Sequence, residues 1–381
     1  MRGVAVAGVG LIKVGEHWEQ GLRDLFVDAA FKALEDAGRE DFDSLYVANM
    51  GAPMLQGQLH LGAMMADALG RRGLPASSVG AASAGGGVAF HEGVKAVASG
   101  FSDCALVGGV EKMSDGLPRE VVSTLAMAED QEYTAYTGVT STGLDALLHR
   151  AYMERYGTSA EEIAMFAVRG HEHAVGSPHA QYPFRLSIER IMDSPMEADP
   201  IHMFECAGVG DGAAVLVLVP EEDTPDGVGV AATSVATGPY YLAGREDILT
   251  LDAVKSAGER AYGVAGVEPE DIDVLEVHDQ TTITGVITLE DLGFAEKGEG
   301  AAAVAKGLTS REGDGIPTNT FGGLKARGHP LGATGLYQVG EVALQLRDEA
   351  GKCQVEGAQV GLASCLGGLG STCAVTILRR D

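Results

Sequence analysis

The sequence predicts an α/β protein built from two similar halves. Short apolar strands alternate with helices along most of the 381 residues, which is typical of βαβ units around a mostly parallel, buried sheet. This pattern recurs in outline after residue 228. Glycine occupies 54 of the 381 positions, about twice its usual ~7%, as expected where turns are tight and backbones approach closely.

The first half is predicted to contain strands joined by helices. Helical spacing of Leu22, Leu25 and Phe26 predicts a helix over 17–38 that ends on Gly38. The predicted strands are residues 4–10, 43–50, 76–83 and 103–111, and the further helices are residues 57–70 and 87–100. Residues 117–200 interrupt this alternation with a more polar segment that includes a predicted helix in TSAEEIAMFAVRGHEHAV.

The second half is predicted to repeat that outline after a polar linker, EEDTPDG, at 221–227. The strand predicted at 211–220 precedes this linker and belongs to the first half. The predicted strands of the second half are residues 227–236, 273–279, 359–365 and 372–378, and its predicted helices include residues 252–266 and 336–350. The domain prediction is therefore an N-terminal half from 1–116 plus 201–222, an insertion at 117–200 and a C-terminal half at 228–381.

The charge is strongly acidic, since 54 Asp and Glu face 27 Lys and Arg, for a net charge of -27. Nucleic acid and anionic membranes are therefore poor partners. The acids are scattered rather than gathered in one tail, which favours a highly solvated surface of the kind halophilic proteins use. An ordinary acidic protein from a low-salt organism is the alternative.

The five cysteines, Cys104, Cys206, Cys353, Cys365 and Cys373, are widely spaced and contain no C-x-x-C. This pattern predicts neither a metal site nor a disulfide framework, and it favours a reducing compartment. No apolar run approaches the ~18 residues that a membrane span needs. The expectation is a soluble, cytoplasmic protein.

Two small-residue turns are the first candidates for chemistry: SAGGG at 83–87 and HPLGATG at 329–335, each directly before a helix. Helix N-termini offer free N–H groups to anions and oxyanions. Ser83 lies at a strand-to-helix junction that exposes a side chain as a nucleophile elbow does. A helix N-cap is the other interpretation of Ser83. His329 is either a reactive group or a hydrogen-bonded loop histidine.

Two further candidates follow strands. His278 comes at the end of the apolar strand DVLEV, at the carboxyl edge where open α/β sheets place their sites. Cys365, in SCLGGLG, lies at the end of a strand and before glycines. A small buried thiol is the ordinary interpretation of Cys365. Four potentially reactive side chains thus lie at strand ends or tight turns of one duplicated chain, and each strengthens the interpretation of the others as functional residues.

At these motifs the chain resembles the thiolase family over nearly its whole length. GGLKARGHPLGATG is similar to the histidine motif of thiolases, SCLGG has their C-x-G form, and GGVEKMS and DGAAVLVLV are similar to further thiolase segments. EVHDQTTITGVITLEDLGF resembles the H-D-x-F-type segment of archaeal and sterol-carrier-protein-linked thiolases, in which a histidine stands where bacterial thiolases have asparagine. The position of the usual nucleophilic cysteine falls on Ser83, as in haloarchaeal β-ketothiolases.

The resemblance implies two half-reactions. Ser83 would attack an acyl-CoA with His329 as its base, and Cys365 would then take the α-proton of acetyl-CoA. His278 and His329 would hold the enolate oxygen, while the backbone N–H groups of Ser83 and Gly367 would form an oxyanion hole.

Coenzyme A thioesters would be substrates rather than a permanent cofactor, and Lys325, Arg327 and Gly328 would help to bind them. The resemblance also implies a fold of two βαβαβαββ halves in five α-β-α-β-α layers, with 117–200 as a loop domain over the CoA. It further implies a homodimer or dimer of dimers, and a small OB-fold, zinc-ribbon partner protein.

Two other functions remain open at this level. One is a non-catalytic or inactivated CoA-binding scaffold, in which Ser83 marks the loss of a catalytic cysteine. The other is a serine acyl-CoA hydrolase, because Ser83, Asp279 and His329 occur in the chain order of α/β-hydrolases. The duplicated halves and Cys365 argue against a hydrolase.

Overall fold

The computed structural model describes residues 2–224 and 227–380. The ends of the predicted halves, Met1 and Asp381, and two positions of the predicted linker, Pro225 and Asp226, lie outside the described residues. The strands are β1 Val4–Leu11, β2 Ser44–Ala48, β3 Ala76–Val79, β4 Ala105–Glu111, β5 Met196–Ala198, β6 Ile201–His202, β7 Gly212–Pro220, β8 Val228–Thr237, β9 Val274–Glu276, β10 Val360–Gly367 and β11 Thr372–Arg379.

The α-helices connect these strands in chain order. They are α1 Leu22–Asp36, α2 Ala52–Leu55, α3 Leu61–Ala68, α4 Gly85–Ala98, α5 Pro118–Ala126, α6 Ser141–Tyr156, α7 Ala160–Ala174, α8 Ile188–Met192, α9 Asp252–Ala265, α10 Thr282–Asp291, α11 Gly300–Ala305, α12 Gly323–Arg327 and α13 Thr334–Leu346. None of the helices in the described part of the chain has the length and apolar character needed to cross a membrane.

The sheet repeats one strand order in the two halves. Its nine strands run β3-β2-β4-β7-β1-β8-β11-β10-β9. From the centre outward, the first half reads β1-β7-β4-β2-β3 and the second reads β8-β11-β10-β9, with Thr318 bridging Leu275 in the place of β3. In both halves the inner pairings are antiparallel and the outer ones parallel. The predicted duplication is therefore visible in topology.

The halves meet through a narrow strand contact and a broad helical layer. Strands β1 and β8 share only two residue pairs, Ala5–Gly229 and Val6–Val228. Buried apolar residues of α4 and α13, including Phe90 and Leu336, pack in one core with inward-facing residues of β1, β4 and β7. Separate cores cover the outer faces, with α1 and α3 on the first half and α9 and α10 on the second.

These cores give the five α-β-α-β-α layers that the family resemblance implied. Strand β7 is buried on both faces, because its alternate residues enter different cores. Residues 117–200 contain α5 to α8 and β5. The domain boundaries themselves stay a prediction.

Two local differences from the predicted elements have clear causes. Helix α1 begins at Leu22 rather than 17, because Gly21 is extended and Asp24 accepts the Gly21 N–H at 3.1 Å. Gly38 follows the helix end in the left-handed region, with φ +61°, as a terminating glycine should. The short helix α12 is not among the predicted elements, and it forms where the Asp279 carboxylate accepts the backbone N–H groups of Leu324 and Lys325.

Candidate active site

Ser83 lies in a sharp turn between β3 and α4. The residue before it, Ala82, has φ +49°, a left-handed conformation that is strained for a residue with a Cβ. This is the backbone geometry of a nucleophile elbow. Ser83 is buried, and its Oγ donates a hydrogen bond of 2.8 Å to the Leu366 carbonyl. The N-cap interpretation is not observed, because the cap residue of α4 is Ala84.

His329 is held at the start of the turn before α13. Its backbone N–H donates to the Gly208 carbonyl at 3.2 Å, and its Nδ1 lies 2.8 Å from the hydroxyl of Thr334, the first residue of α13. Burial, together with the nearby Arg327 cation, lowers the pKa of His329 to about 3. The imidazole is therefore neutral at pH 7 and has a nitrogen able to accept a proton.

His278 and Cys365 meet because β9 and β10 are parallel neighbours. The Sγ of Cys365 lies 3.7 Å from Nδ1 of His278 and 3.2 Å from the carbonyl oxygen of Ser83. The rings of His278 and His329 contact edge to face, with centroids 5.1 Å apart. The four predicted residues therefore form one cluster, although Oγ of Ser83 bonds to Leu366 rather than to a histidine.

Burial sets the resting protonation of this cluster. It raises the pKa of the Cys365 thiol to about 12, against a smaller lowering by Arg327. Burial also lowers the pKa of His278 well below its usual value, and the neighbouring His329 and Arg327 lower it further. A neutral thiol and two neutral imidazoles thus surround the serine.

Glycines allow the two halves to approach at this point. A Cβ on Gly367, the last residue of β10, would lie 2.5 Å from the Ala81 carbonyl oxygen in the Ser83 turn. A Cβ on Gly335 would lie 2.4 Å from the Gly87 nitrogen. The two small-residue turns are therefore in direct contact.

A buried carboxyl group also ties the halves together. Glu111, at the end of β4, accepts hydrogen bonds from the backbone N–H groups of Met50 at 2.6 Å, Gly51 at 3.0 Å and Gly332 at 3.0 Å. Gly332 belongs to the turn that begins with His329. The first half thereby fixes the loop that carries the second half's histidine.

A cavity opens onto this cluster. Ser83 and His329 line it, whereas His278 and Cys365 do not. The remaining lining residues are Met50, Leu125, Ala128, Glu129, Ser141, Thr142, Asp145, Cys206, Ala207, Gly208, Val209, Gln280, Thr281, Leu331, Gly368 and Leu369.

Two profiles of one family match this chain. One, described as the thiolase N-terminal domain, matches residues 5–190, and the other, described as thiolase C-terminal domain-like, matches residues 234–380. The chain belongs to the thiolase family. Members of this family are acyltransferases.

Relatives and solved structures agree with this assignment. The chain is 46% identical over 388 residues to an acetyl-CoA acetyltransferase of Methanothermobacter thermautotrophicus, covering 100% of both chains. A solved Ltp2-ChsH2(DUF35) aldolase has 23% identity and a TM-score of 0.83, covering 100% of this chain and 98% of its own. The acetyl-CoA acetyltransferase structure from Syntrophomonas wolfei has 20% identity and a TM-score of 0.77, with 100% of both chains covered. At these identities the two structures show the thiolase fold alone.

The thiolase fold places one predicted CoA contact out of reach. Arg327 has no exposed surface, lies 3.2 Å from Glu341 through its Nε, and sits over the Tyr337 ring at 4.9 Å. This burial disagrees with the expected contact between Arg327 and coenzyme A. Gly328 has φ +110°, and a Cβ there would lie 2.4 Å from Val14, so its glycine is required by packing.

Lys325 is also buried, and this burial lowers the pKa of its ammonium group to about 8. Its Nζ lies 5.8 Å from the centre of the Tyr182 ring. Its predicted role in binding CoA stays a prediction. The backbone N–H of Lys325 and that of Leu324 donate to the Asp279 carboxylate at 3.3 and 2.7 Å. Asp279 thus holds α12 rather than a histidine, which removes the geometric basis for a hydrolase triad in this thiolase.

Sequence reasoning missed the polar residues of the cavity wall. Asp145 is 1% exposed, and Nε2 of Gln280 donates to its two carboxylate oxygens at 3.0 and 3.3 Å. The sequence did contain a signal for this polar wall. One face of α6 carries Asp145, His149 and Tyr152, and all three are buried. A polar stripe on a buried helix face indicates an internal polar site.

Proposed function

We propose that this thiolase is an acyl-CoA:acetyl-CoA C-acyltransferase that condenses two acetyl-CoA molecules to acetoacetyl-CoA and CoA, or runs the reverse reaction, through an acyl-enzyme on Ser83. The observation that supports it most is the cluster itself. A serine in a strained turn lines a cavity together with a neutral histidine, and a thiol with a second histidine lies directly behind. The relative that is 46% identical carries the name acetyl-CoA acetyltransferase.

In the first half-reaction, Oγ of Ser83 bonds to the thioester carbon and the carbon–sulfur bond breaks. His329 takes the hydroxyl proton and passes it to the departing CoA thiolate. Because His329 is neutral at rest, it is able to accept this proton. The hydroxyl must first leave its partner, the Leu366 carbonyl.

In the second half-reaction, Cys365 gives its thiol proton to neighbouring His278, and the thiolate removes the α-proton of acetyl-CoA. The carbon–hydrogen electron pair forms the new bond to the acyl carbon, and the bond between that carbon and Oγ of Ser83 breaks. The proton held by His278 returns through His329 to the Ser83 oxygen. His278 and His329 hold the enolate oxygen. The backbone N–H groups of Ser83 and Gly367 stabilise the tetrahedral intermediate, at roughly 3 kcal/mol of barrier for each donor.

The proposed assembly is a homodimer or dimer of dimers acting with a small OB-fold, zinc-ribbon partner. A DUF35 component in the name of the Ltp2 structure supports such a partner. A non-catalytic CoA-binding scaffold is the second candidate function. The observation that favours it is the Ser83 hydroxyl, which bonds to a carbonyl rather than to a base.

Acyl transfer to Ser83 is the decisive test. After incubation with acetyl-CoA or acetoacetyl-CoA, mass spectrometry should find the acyl group on the Ser83 peptide, and Ser83→Ala should abolish it. His329→Ala should also prevent acylation. Ser141→Ala removes another hydroxyl of the same cavity and should leave the Ser83 peptide acylated. An acyl group only on a cysteine, with Ser83→Ala fully active, would falsify the assignment.

A further inference from the structure

Arg327 was expected to contact CoA, and its burial leaves it without a role in the two half-reactions. Its side chain has no exposed surface, and Nη1 and Nη2 have no hydrogen-bond partner among the described residues. A buried cation costs free energy unless its partners compensate it, and a buried ion pair often adds little to stability. The partners of Arg327 therefore indicate what this cation is for.

Glu341 is the common partner of Arg327 and His179. Its Oε1 lies 3.2 Å from Nε of Arg327 and 2.7 Å from Nε2 of His179. All three side chains are buried, and they come from α13, α12 and the inserted segment respectively for Glu341, Arg327 and His179. These three residues form the Glu341 triad, in which one carboxyl group joins three separate parts of the chain.

The Glu341 triad spans the loop that carries His329. Arg327 is the last residue of α12 and Glu341 lies in α13, so their contact closes the stretch of chain between them, which contains His329. The imidazole of His329 is tied to the same helix, because its Nδ1 lies 2.8 Å from the hydroxyl of Thr334 at the start of α13. A shift of α12 against α13 would therefore change where the imidazole lies.

The inserted segment holds the same loop through its backbone. The N–H groups of Gln181 and Tyr182 donate to the carbonyls of the last two residues of α12 at 2.9 and 3.0 Å. His179, two residues before Gln181, adds the side-chain contact to Glu341. Both ends of the His329 loop are thus connected to the inserted segment, one by backbone hydrogen bonds and the other by a side chain.

We propose that Glu341, together with Arg327 and His179, positions His329 for acyl transfer by fixing α12, α13 and the inserted segment against one another. This inference rests on the proposed thiolase reaction, in which His329 is the base. The three are positioning residues, since none of them lines the cavity. A misplacement of about 1 Å can slow a reaction ~100-fold, so firm support of the base has a measurable effect.

Removing both charges together tests the triad without leaving one of them unpaired. Either single substitution leaves an uncompensated buried charge and is expected to destabilise the fold strongly, whereas Arg327→Met with Glu341→Gln leaves neither charge. This double variant should unfold at or above the midpoint temperature of either single variant. Its kcat for acyl transfer to Ser83 should fall at least ~10-fold, with KM for acetyl-CoA within ~3-fold of wild type, as for a misplaced base.

The matched control is Lys297→Met with Asp291→Asn. It removes another ion pair, of 2.8 Å, whose two residues do not line the cavity. Both kinetic parameters should stay within ~2-fold of wild type. The proposal would be overturned by an unchanged kcat in the Arg327→Met, Glu341→Gln protein, by a kcat that falls only in proportion to the folded fraction, or by an equal loss in the control.

His179 offers a second pair of variants that keeps Arg327 and Glu341 together. His179→Gln retains a donor for the Glu341 carboxyl, whereas His179→Leu does not. We expect acyl transfer to slow at least ~3-fold in the leucine variant and to stay within ~2-fold of wild type in the glutamine variant. Equal rates in these two variants would also overturn the proposal.

The imidazole can be followed without turnover, which separates this proposal from the proposed reaction. Nitrogen-15 NMR of labelled histidine, assigned with His329→Asn, should show one hydrogen-bonded Nδ1 signal in wild type, and this signal should shift or broaden in the Arg327→Met, Glu341→Gln protein. An unchanged signal would refute the positioning even if that enzyme is slow. Failure of wild type to acylate Ser83, with the signal change observed, would instead refute the proposed reaction and leave the positioning in place.

Discussion

At the scale of single residues, the thiol of Cys365 is the group whose resting state differs most from its proposed working state. Its pKa of about 12 keeps it protonated. We expect Cys365→Ala to form the acyl-enzyme on Ser83 normally and to lose condensation by ~100-fold or more, as for removal of a positioned acid or base. Rapid-quench assays of the two steps would measure this.

A matched control for that substitution is Cys373→Ala, in the adjacent strand β11. Cys373 is equally buried, and no role in the reaction is assigned to it. Its substitution should leave the ratio of the two steps unchanged. If Cys365→Ala condenses at the normal rate, a histidine must take the α-proton.

His149 offers a test of buried charge that is separate from catalysis. Neither of its ring nitrogens has a hydrogen-bond partner in the described chain, and burial together with Arg150 and His202 lowers its pKa to about 4. Below pH 6.5 the unfolded chain binds a proton there that the folded chain refuses, so stability falls as pH drops from 6.5 towards 4. The maximum loss is on the order of 3 kcal/mol.

The His149→Phe variant should lack this component. Urea unfolding at a series of pH values between 7 and 4 should show a shallower loss of stability in the variant than in wild type, whatever its absolute stability at pH 7. Parallel curves would show that the imidazole is protonated without cost in the folded chain.

The sequence was informative about the reactive residues because each lies near the end of a strand, in a glycine-rich turn, or both. Ser83, His278, His329 and Cys365 could be named from that context, and the structure brings them together. Arg327 was misjudged because a cation in a glycine-rich segment usually faces solvent. Its burial depends on Glu341, fourteen positions further along the chain, and no local pattern reveals that pairing.

At the scale of secondary structure, α4 packs so closely on the turn before α13 that their contact depends on glycine. A Cβ on Gly86 would lie 2.8 Å from the Gly332 carbonyl oxygen and 3.0 Å from the Leu336 nitrogen, both backbone atoms that have little freedom to move. We expect Gly86→Ala to destabilise the protein by roughly 1–3 kcal/mol, as overpacking does. Thermal unfolding would measure the loss.

Gly263 in α9 provides the matched control. A Cβ there meets nothing within 4 Å, so Gly263→Ala should be neutral or stabilise the protein by up to about 1 kcal/mol through helix propensity. If the two substitutions have equal effects, the closeness of α4 to the neighbouring turn is not what requires glycine at position 86.

Strands and helices of the two halves were predictable because their hydrophobic periods are regular. The inserted segment was less predictable, and Asp145, its buried carboxyl group in the cavity wall, was missed. A helix that packs on a polar cavity buries both apolar and polar residues, which weakens the contrast between its faces. Helix α6 buries Leu144 and Leu148 as well as Asp145 and His149.

At the scale of the whole molecule, the main electrostatic feature is the excess of acidic over basic side chains. With 54 acidic and 27 basic side chains, pairing every base with one acid would still leave half of the acids unpaired. Repulsion among them acts over ~30 Å at 0.01 M salt and over only ~3 Å at 1 M. We expect the thermal midpoint to rise between roughly 0.05 and 1 M KCl, and acetyl-CoA affinity to rise as well, since CoA carries phosphates of the same sign.

Scanning fluorimetry across that range would test this, with sucrose as a control that stabilises by exclusion from the protein surface and not by screening. A midpoint that is flat or falls with KCl would argue against adaptation to high salt and favour an acidic protein suited to ordinary conditions.

The repeated strand order also has a consequence for how the chain came to hold a single reaction centre. A symmetric pair of identical halves would present two equivalent centres, one at each small-residue turn. Here the turn of one copy carries the serine and that of the other carries the histidine. The equivalent strands β4 and β10 also carry different groups near their ends. Strand β10 carries the thiol of Cys365, whereas β4 carries Glu111, which accepts a hydrogen bond from the turn of the other half. Because the serine comes from one copy and the histidines and the thiol from the other, we expect neither half to support the proposed reaction alone.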